Sequence, residues 1–287
     1  MRTTNPLTPV TFGVVGEEAG RCPRLLTALY FLIALVLLTS LVVQGQQDLP
    51  WVRIPNGRFL MGCVPGDTQC LDNERPRHEV TISQSFDLMA TEVTVDQYGS
   101  FVRATGYDPP LPPDFPQDGD HPVVFLSWED AAAFCDWAGG RLPTEAEREY
   151  AARAGHNERI YWWGNEPSDE WANFGAEECC EGATGGADMW VNTGPVGSLP
   201  ANDFGLWDMT GNVWEWVADW HGDYPNGPIV DPKGAVSGFV RVARGASWLN
   251  FPAVTRVSVR LMFSPTGQTS NVGARCARDV TAVLVAE

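Results

Sequence analysis

Nine of the chain's twelve tryptophans fall between Trp162 and Trp248. In that stretch Gly, Pro, Asn and Asp punctuate short apolar pieces, and no helical periodicity survives. Long loops need a physical reason to stay ordered. The pattern therefore predicts an irregular α+β domain with few helices, its loops fixed by disulfides, metal ions or aromatic packing.

Helices are expected only upstream. Thr94-x-x-Gln97 is a capping box opening a helix through about Ala104. Ser127 caps a second, on which Trp128, Ala131, Ala132 and Cys135 share one face before Gly139-Gly140 ends it. Pro143-Thr144-x-x-Glu147 opens a third, ending near Gly155. Residues 52–61 alternate like a strand around a Pro-Asn-Gly turn. Residues 78–83 and 123–126 read as further short strands.

Residues 25–43 run nineteen positions without a charge, directly after Arg21 and Arg24. That run exceeds the roughly 7–15 residues of a signal-peptide core and approaches the ~20 of a membrane span. Its length favours an anchor over a leader cleaved before Gln46, with the N-terminus cytoplasmic. The expected division is residues 1–24 as a cytoplasmic segment, 25–45 as signal anchor or signal peptide, and 46–287 as one extracytoplasmic domain, membrane-anchored or secreted. No internal repeat or polar linker divides that domain. It carries sixteen basic against thirty-four acidic residues. So acidic a body repels phosphate backbones, which excludes nucleic acid as a partner. Cys22 precedes the apolar run, leaving Cys63, Cys70, Cys135, Cys179, Cys180 and Cys276 outside. An even number in an oxidising compartment reads as disulfides. Cys63 and Cys70 flank a turn-forming VPGDTQ and can staple a local loop. No C-x-x-C or paired-histidine spacing supports zinc.

The densest chemical signal is Asp208-Met-Thr-Gly-Asn-Val-Trp-Glu-Trp216, with two carboxylates around a Gly-Asn turn. A second oxygen-rich pair, Asn173 and Asp188, lies in a loop run. Calcium takes six to eight such oxygens; ordinary turn capping by Asp and Asn is the alternative. Arg241-Val-Ala-Arg-Gly-Ala-Ser-Trp248, then Arg256, Arg260 and Arg275, suggest strands whose guanidinium groups pair with buried acids. Ser247 lacks the G-x-S-x-G frame of a nucleophile and reads as a hydrogen-bonding serine. His78, His121, His156 and His221 are isolated in sequence and read as structural or exposed.

The motifs GRFLMG, EVT, GRLPTEAEREYAARAG, NDFGLWDMTGNVWEW, RVARGASW and NVGARCA, in that order across residues 51–279, resemble the sulfatase-modifying-factor family. That family includes the formylglycine-generating enzymes. The resemblance implies a loop-rich variant of the C-type-lectin fold with short helices and antiparallel strands. It also implies two calcium sites. Asn173 and Asp188 would serve one, with carbonyls of Phe174 and Trp190; Asp208 and Glu215 the other, with carbonyls of Gly211 and Val213. A disulfide between Cys135 and Cys276 is implied as well. A second family bridge is lost at both ends, where Ala152 and Arg260 stand.

One departure bears on activity. The formylglycine-generating enzymes of that family oxidise a substrate cysteine with O₂, using copper(I) held by two thiolates, three and eight residues after the motif serine. Here Ser247 is followed at those positions by Asn250 and Thr255. Copper(I) is soft and selects sulfur, so it is not expected as a cofactor. Ala246 and Ala274 depart from the motifs as well, while the groove residues Trp214 and Ser247 remain. The expected function is a calcium-stabilised domain that binds a peptide, glycan or protein partner without making formylglycine. Membrane contact would come through residues 25–43. An oxidase of this family using other active-site residues, and a lectin-like displayed receptor, are the alternatives.

Overall fold

The computed structural model describes residues 49–176 and 181–280. The apolar run at 25–43, Cys22, Cys179 and Cys180 lie outside the described residues. Among those described, no helix is long and apolar enough to cross a membrane.

All three expected helices form, each opened by its capping box. α1 spans Val95–Thr105: Thr94 Oγ1 accepts from Gln97 N at 3.2 Å, and Gln97 Oε1 accepts from Thr94 N at 3.0 Å. α2 spans Trp128–Trp137 under Ser127 and Asp130, and α3 spans Glu145–Arg153 under Thr144 and Glu147. α3 ends at Ala154, in the left-handed region at φ 45°.

Three small sheets surround them. The first orders β1 (Trp51–Ile54), β4 (Phe86–Met89) and β10 (Ala277–Asp279), with β4 in the middle and both neighbours antiparallel to it. The second orders β2 (Gly57–Met61), β3 (His78–Ile82) and β6 (Ile229–Val230). The third orders β8 (Leu261–Phe263), β7 (Arg241–Arg244), β5 (Trp214–Trp220) and β9 (Val272–Ala274). Two expectations are corrected. Residues 52–61 are not one strand folded on itself: Pro55-Asn56 hands the chain from one sheet to another. Val123, Val124 and Leu126 are buried and Phe125 half-buried, but the segment forms no strand, because Phe125 sits at φ 59° and breaks the extended run.

Apolar packing falls into two clusters. One joins Tyr98, Phe101, Phe134, Trp214 and Trp216 between α1, α2 and the third sheet. The other joins Ile54, Phe59, Val80, Leu88 and Ala151 between α3 and the first two sheets. Indoles tie a loop to the third sheet and that sheet to α2. Trp216 Nε1 donates to Leu126 O at 2.8 Å, and Trp128 Nε1 to Val217 O at 2.8 Å. Arg241 lies over the rings of both Trp128 and Trp220, 3.8 and 3.7 Å from their centroids.

The arginines of the C-terminal third meet buried acids, as their spacing suggests. Arg244 reaches Glu149, and Arg260 Nε meets Glu145 at 2.6 Å. Arg256 Nη1 meets Asp67 at 2.9 Å and Glu74 at 2.8 Å, and Arg275 meets Glu215 at 3.0 Å. Burial opposes the charge of Glu149, but Arg153 and Arg244 hold its carboxyl below the usual range.

Candidate functional site

A cleft of about 510 Å³ opens beside the third sheet, lined among others by Trp214, Asn250, Phe251, Leu261, Phe263 and Asn271. β5 supplies Trp214 and β8 supplies Leu261 and Phe263. The turn after β7 supplies Asn250. That turn leaves the sheet through Gly245 at φ 100° and Ala246 at φ 62°, so an alanine occupies a backbone region that favours glycine. Both charged side chains on the cleft wall, Arg256 and Arg260, are engaged by carboxylates. The accessible lining is therefore apolar with carboxamide handles.

Behind this lining lies a closed polar cluster. Ser247 is fully buried. Its hydroxyl donates to Asn250 Oδ1 at 2.7 Å and accepts from Asn271 Nδ2 at 3.0 Å. Asn250 Oδ1 also accepts from Ser247 N at 3.0 Å, so the carboxamide caps its own turn. Thr255, also buried, turns its hydroxyl onto Pro252 O at 2.8 Å. Oxygen and nitrogen thus stand where thiolates would be needed, and these donors do not fit copper(I). The four cysteines among the described residues are all oxidised: Cys63 pairs with Cys70, and Cys135 with Cys276.

The two expected calcium sets differ in what their oxygens do. Asn173 and Asp188 come from separate loop segments and are both buried. Asn173 Nδ2 donates to Asn192 O at 2.8 Å, and Asp188 Oδ1 accepts from Trp190 N at 3.0 Å. Asn173 Oδ1 and Asp188 Oδ2, by contrast, are buried with no hydrogen-bond partner. Burial, reinforced by the charge of Asp169, pushes the Asp188 carboxyl up to about 7. Buried oxygens without donors suit a hard cation.

In the second set Glu215 is engaged by cations of the protein itself. Both of its oxygens accept from guanidinium groups, Arg148 Nε at 2.5 Å, Arg148 Nη2 at 3.0 Å and Arg275 Nε at 3.0 Å. Burial raises its carboxyl, but these two arginines overcome that and hold it below the usual range. A calcium ion there would sit against two fixed positive charges, so the residues do not fit it. Asp208 Oδ2 accepts from Gly197 N at 2.7 Å, and burial pushes this carboxyl up to about 6. Gly211 sits at φ 89° with its Cα against the backbone of Asn173. Its N–H donates to Gly245 O at 2.8 Å, and Val213 N donates to Glu92 at 3.0 Å.

Glu92 was not singled out as a site residue from sequence. It is fully buried, and it also accepts from Asn212 Nδ2 at 2.7 Å. Burial, with Asp208 and Glu215 nearby, raises its carboxyl well above the usual range. Arg148 and Asn271 were likewise unassigned. Their partners lie 67 and 24 residues away, and no local pattern reports contacts at such separations.

A model of the sulfatase-modifying factor enzyme 1-like domain matches residues 42–280. A formylglycine-generating enzyme of Streptomyces coelicolor is 35% identical over 279 aligned residues, covering 79% of this chain and 88% of that enzyme. A mouse protein named inactive C-alpha-formylglycine-generating enzyme 2 is 32% identical, covering 80% and 86%. Among solved structures, PvdO from Pseudomonas aeruginosa superposes with a TM-score of 0.69 at 28% identity, covering 80% of this chain and 95% of that one.

Proposed function

Because the chain belongs to the sulfatase-modifying-factor family of formylglycine-generating-enzyme-like, C-type-lectin-like domains, we propose that it keeps the scaffold and the cleft of that family but not its copper chemistry, and serves as a binding domain. The single observation that carries this reading is the donor set around Ser247. Asn250 and Thr255 are spent on their own turn, and neither offers sulfur. That one relative is named inactive gives the reading a precedent within the family. The ligand is a peptide, glycan or protein segment. With Arg256 and Arg260 already paired, the cleft favours an uncharged apolar stretch over an anion.

The domain acts outside the cytoplasm, anchored or secreted. The uncharged run at residues 25–43 and two disulfides support this. One calcium ion stabilises it, held by Asn173 Oδ1 and Asp188 Oδ2 with carbonyls of Phe174 and Trp190. Two buried oxygens without donors support this site, and the cation supplies charge balance rather than reaction chemistry.

The test is to load the purified protein with copper(I) and incubate it with a cysteine-containing sulfatase peptide in air. The expected mass spectrum shows the unmodified peptide. Conversion of the cysteine to formylglycine above a copper-only control overturns the proposal.

A further inference from the structure

The segment following α1 carries chemistry that the cleft does not use. Residues 108–116 read Asp-Pro-Pro-Leu-Pro-Pro-Asp-Phe-Pro, and every residue from Asp108 to Pro113 is a proline or precedes one. Proline fixes its own φ near about −65° and pushes the residue before it into extended conformations. This fixes φ at the four prolines from Pro109 to Pro113 and holds Asp108, Pro109, Leu111 and Pro112 extended, as a polyproline II helix requires.

Burial agrees. Tyr107, Pro110 and Pro113 are half-buried, while Asp108, Pro109, Leu111, Pro112 and Asp114 are exposed. A burial repeat of three is that of a polyproline II helix. Among the described residues no backbone hydrogen bond involves residues 108–116, as expected for a helix without internal bonds. Both ends are pinned. The Tyr107 hydroxyl donates to Asp130 Oδ1 at 3.0 Å and its ring packs on Phe101, while Phe115 meets Trp248 edge-on at 5.4 Å.

The Tyr107, Pro110 and Pro113 edge therefore faces the body; the other two are exposed, with Pro109, Leu111 and Pro112 also bordering an open cleft of about 490 Å³ against Val95, Tyr98 and Val102. Pro109 and Pro112 share one outward edge. Asp108, Leu111 and Asp114 share the other, with Leu111 66% exposed. The exposed carboxylates of Asp108 and Asp114 meet no cation among the described residues; the neighbouring Arg103 turns instead to Ser100 Oγ at 2.9 Å.

We propose that this strap is a docking ligand for a small protein domain of the kind that reads polyproline II helices in an aromatic-lined groove, specifically one whose groove has a basic rim. Proline and leucine ridges at a three-residue repeat fit aromatic slots. The conformation is already fixed in the free protein, so little ordering entropy is lost on binding. The two aspartates bracketing the prolines select a positive rim and disfavour a negative one.

The test titrates the intact protein with recombinant WW, SH3 and EVH1 domains, each prepared with lysines or with glutamates on the groove rim. Affinity is read calorimetrically. At least one lysine-rimmed probe is expected to bind, and its glutamate-rimmed counterpart to bind more weakly. Pro109→Ala with Pro112→Ala is expected to weaken binding about ten-fold or more, as loss of interface anchors does. Asp108→Asn with Asp114→Asn is expected to remove most of the salt dependence. Leu111→Ser leaves the dihedral constraints in place and is expected to weaken binding too, and thermal melts check that each variant is folded. No binding by any probe, or binding unchanged in the proline variant or indifferent to rim charge, overturns the proposal.

Discussion

Asp188 and Asp219 are both buried carboxyls, but their surroundings predict opposite responses to charge. Asp188 leaves Oδ2 without a donor beside an equally unpartnered Asn173 Oδ1. A cation that binds the folded state there raises the melting temperature by mass action. Calcium is therefore expected to raise the melt and a chelator to lower it, with Asp188→Asn abolishing the difference; a melt indifferent to chelator in the unaltered protein counts against the site. Asp219 accepts from Glu145 N at 2.8 Å and is 2% exposed. Burial, with Glu145 nearby, pushes its carboxyl up to about 8 from an ordinary 3.8. Between those values the folded state holds a proton that the unfolded state has released. Stability from this group therefore falls as pH rises through the window, and the full cost stands above it. Asp219→Asn removes that cost. The variant should match the parent near pH 4 and melt higher near pH 8.5, by roughly 2–4 °C per kcal/mol relieved. A lower or equal melt at the alkaline end would refute the assignment.

Elements were legible where their signals are local. The three capping boxes named the three α-helices among the described residues because Thr94, Ser127 and Thr144 each bond within three residues. Residues 123–126 misled because their side chains are apolar and mostly buried, while the positive φ of Phe125 leaves no trace in residue type. The arginine-rich segments announced buried ion pairs but not their partners. Nothing near Arg256 points to Glu74, 182 residues earlier. That pair ties the Cys63–Cys70 loop to the wall of the cleft, where Gln69 and Leu71 also lie. Arg256→Met would leave Asp67 and Glu74 buried and uncompensated, at a cost of about 3–5 kcal/mol. Denaturant titration measures it, and a loss under about 1 kcal/mol would mean that the loop relaxes to solvate both acids.

For the whole molecule, the tryptophan-dense, loop-rich pattern made the α+β class legible, and the family motifs pointed to Trp214 and Asn250, which line the cleft. The sheet order was not legible, since β1 and β10 flank β4 although they come from opposite ends of the described sequence. The two arginines on Glu215 were not legible for a related reason: a carboxylate in sequence does not disclose which cation reaches it. The Cys135–Cys276 bridge closes 141 residues of separation. Replacing both cysteines by alanine is expected to cost about 4–5 kcal/mol in the chain-entropy model. Equilibrium unfolding of the double variant tests this, and an unchanged midpoint would show that the unfolded chain is already compact.

The placement of β1 and β10 also governs how the domain bears tension. Both flank β4 and run in the same direction. A pull on the start of one and the end of the other therefore slides them along their lengths, loading their hydrogen bonds together rather than one at a time. Stripping from the C-terminal side would reach Cys276, next to Ala277, after only the three residues of β10. Tension applied between the start of β1 and the end of β10 would thus be met by shear across β4 and then by the Cys135–Cys276 bridge.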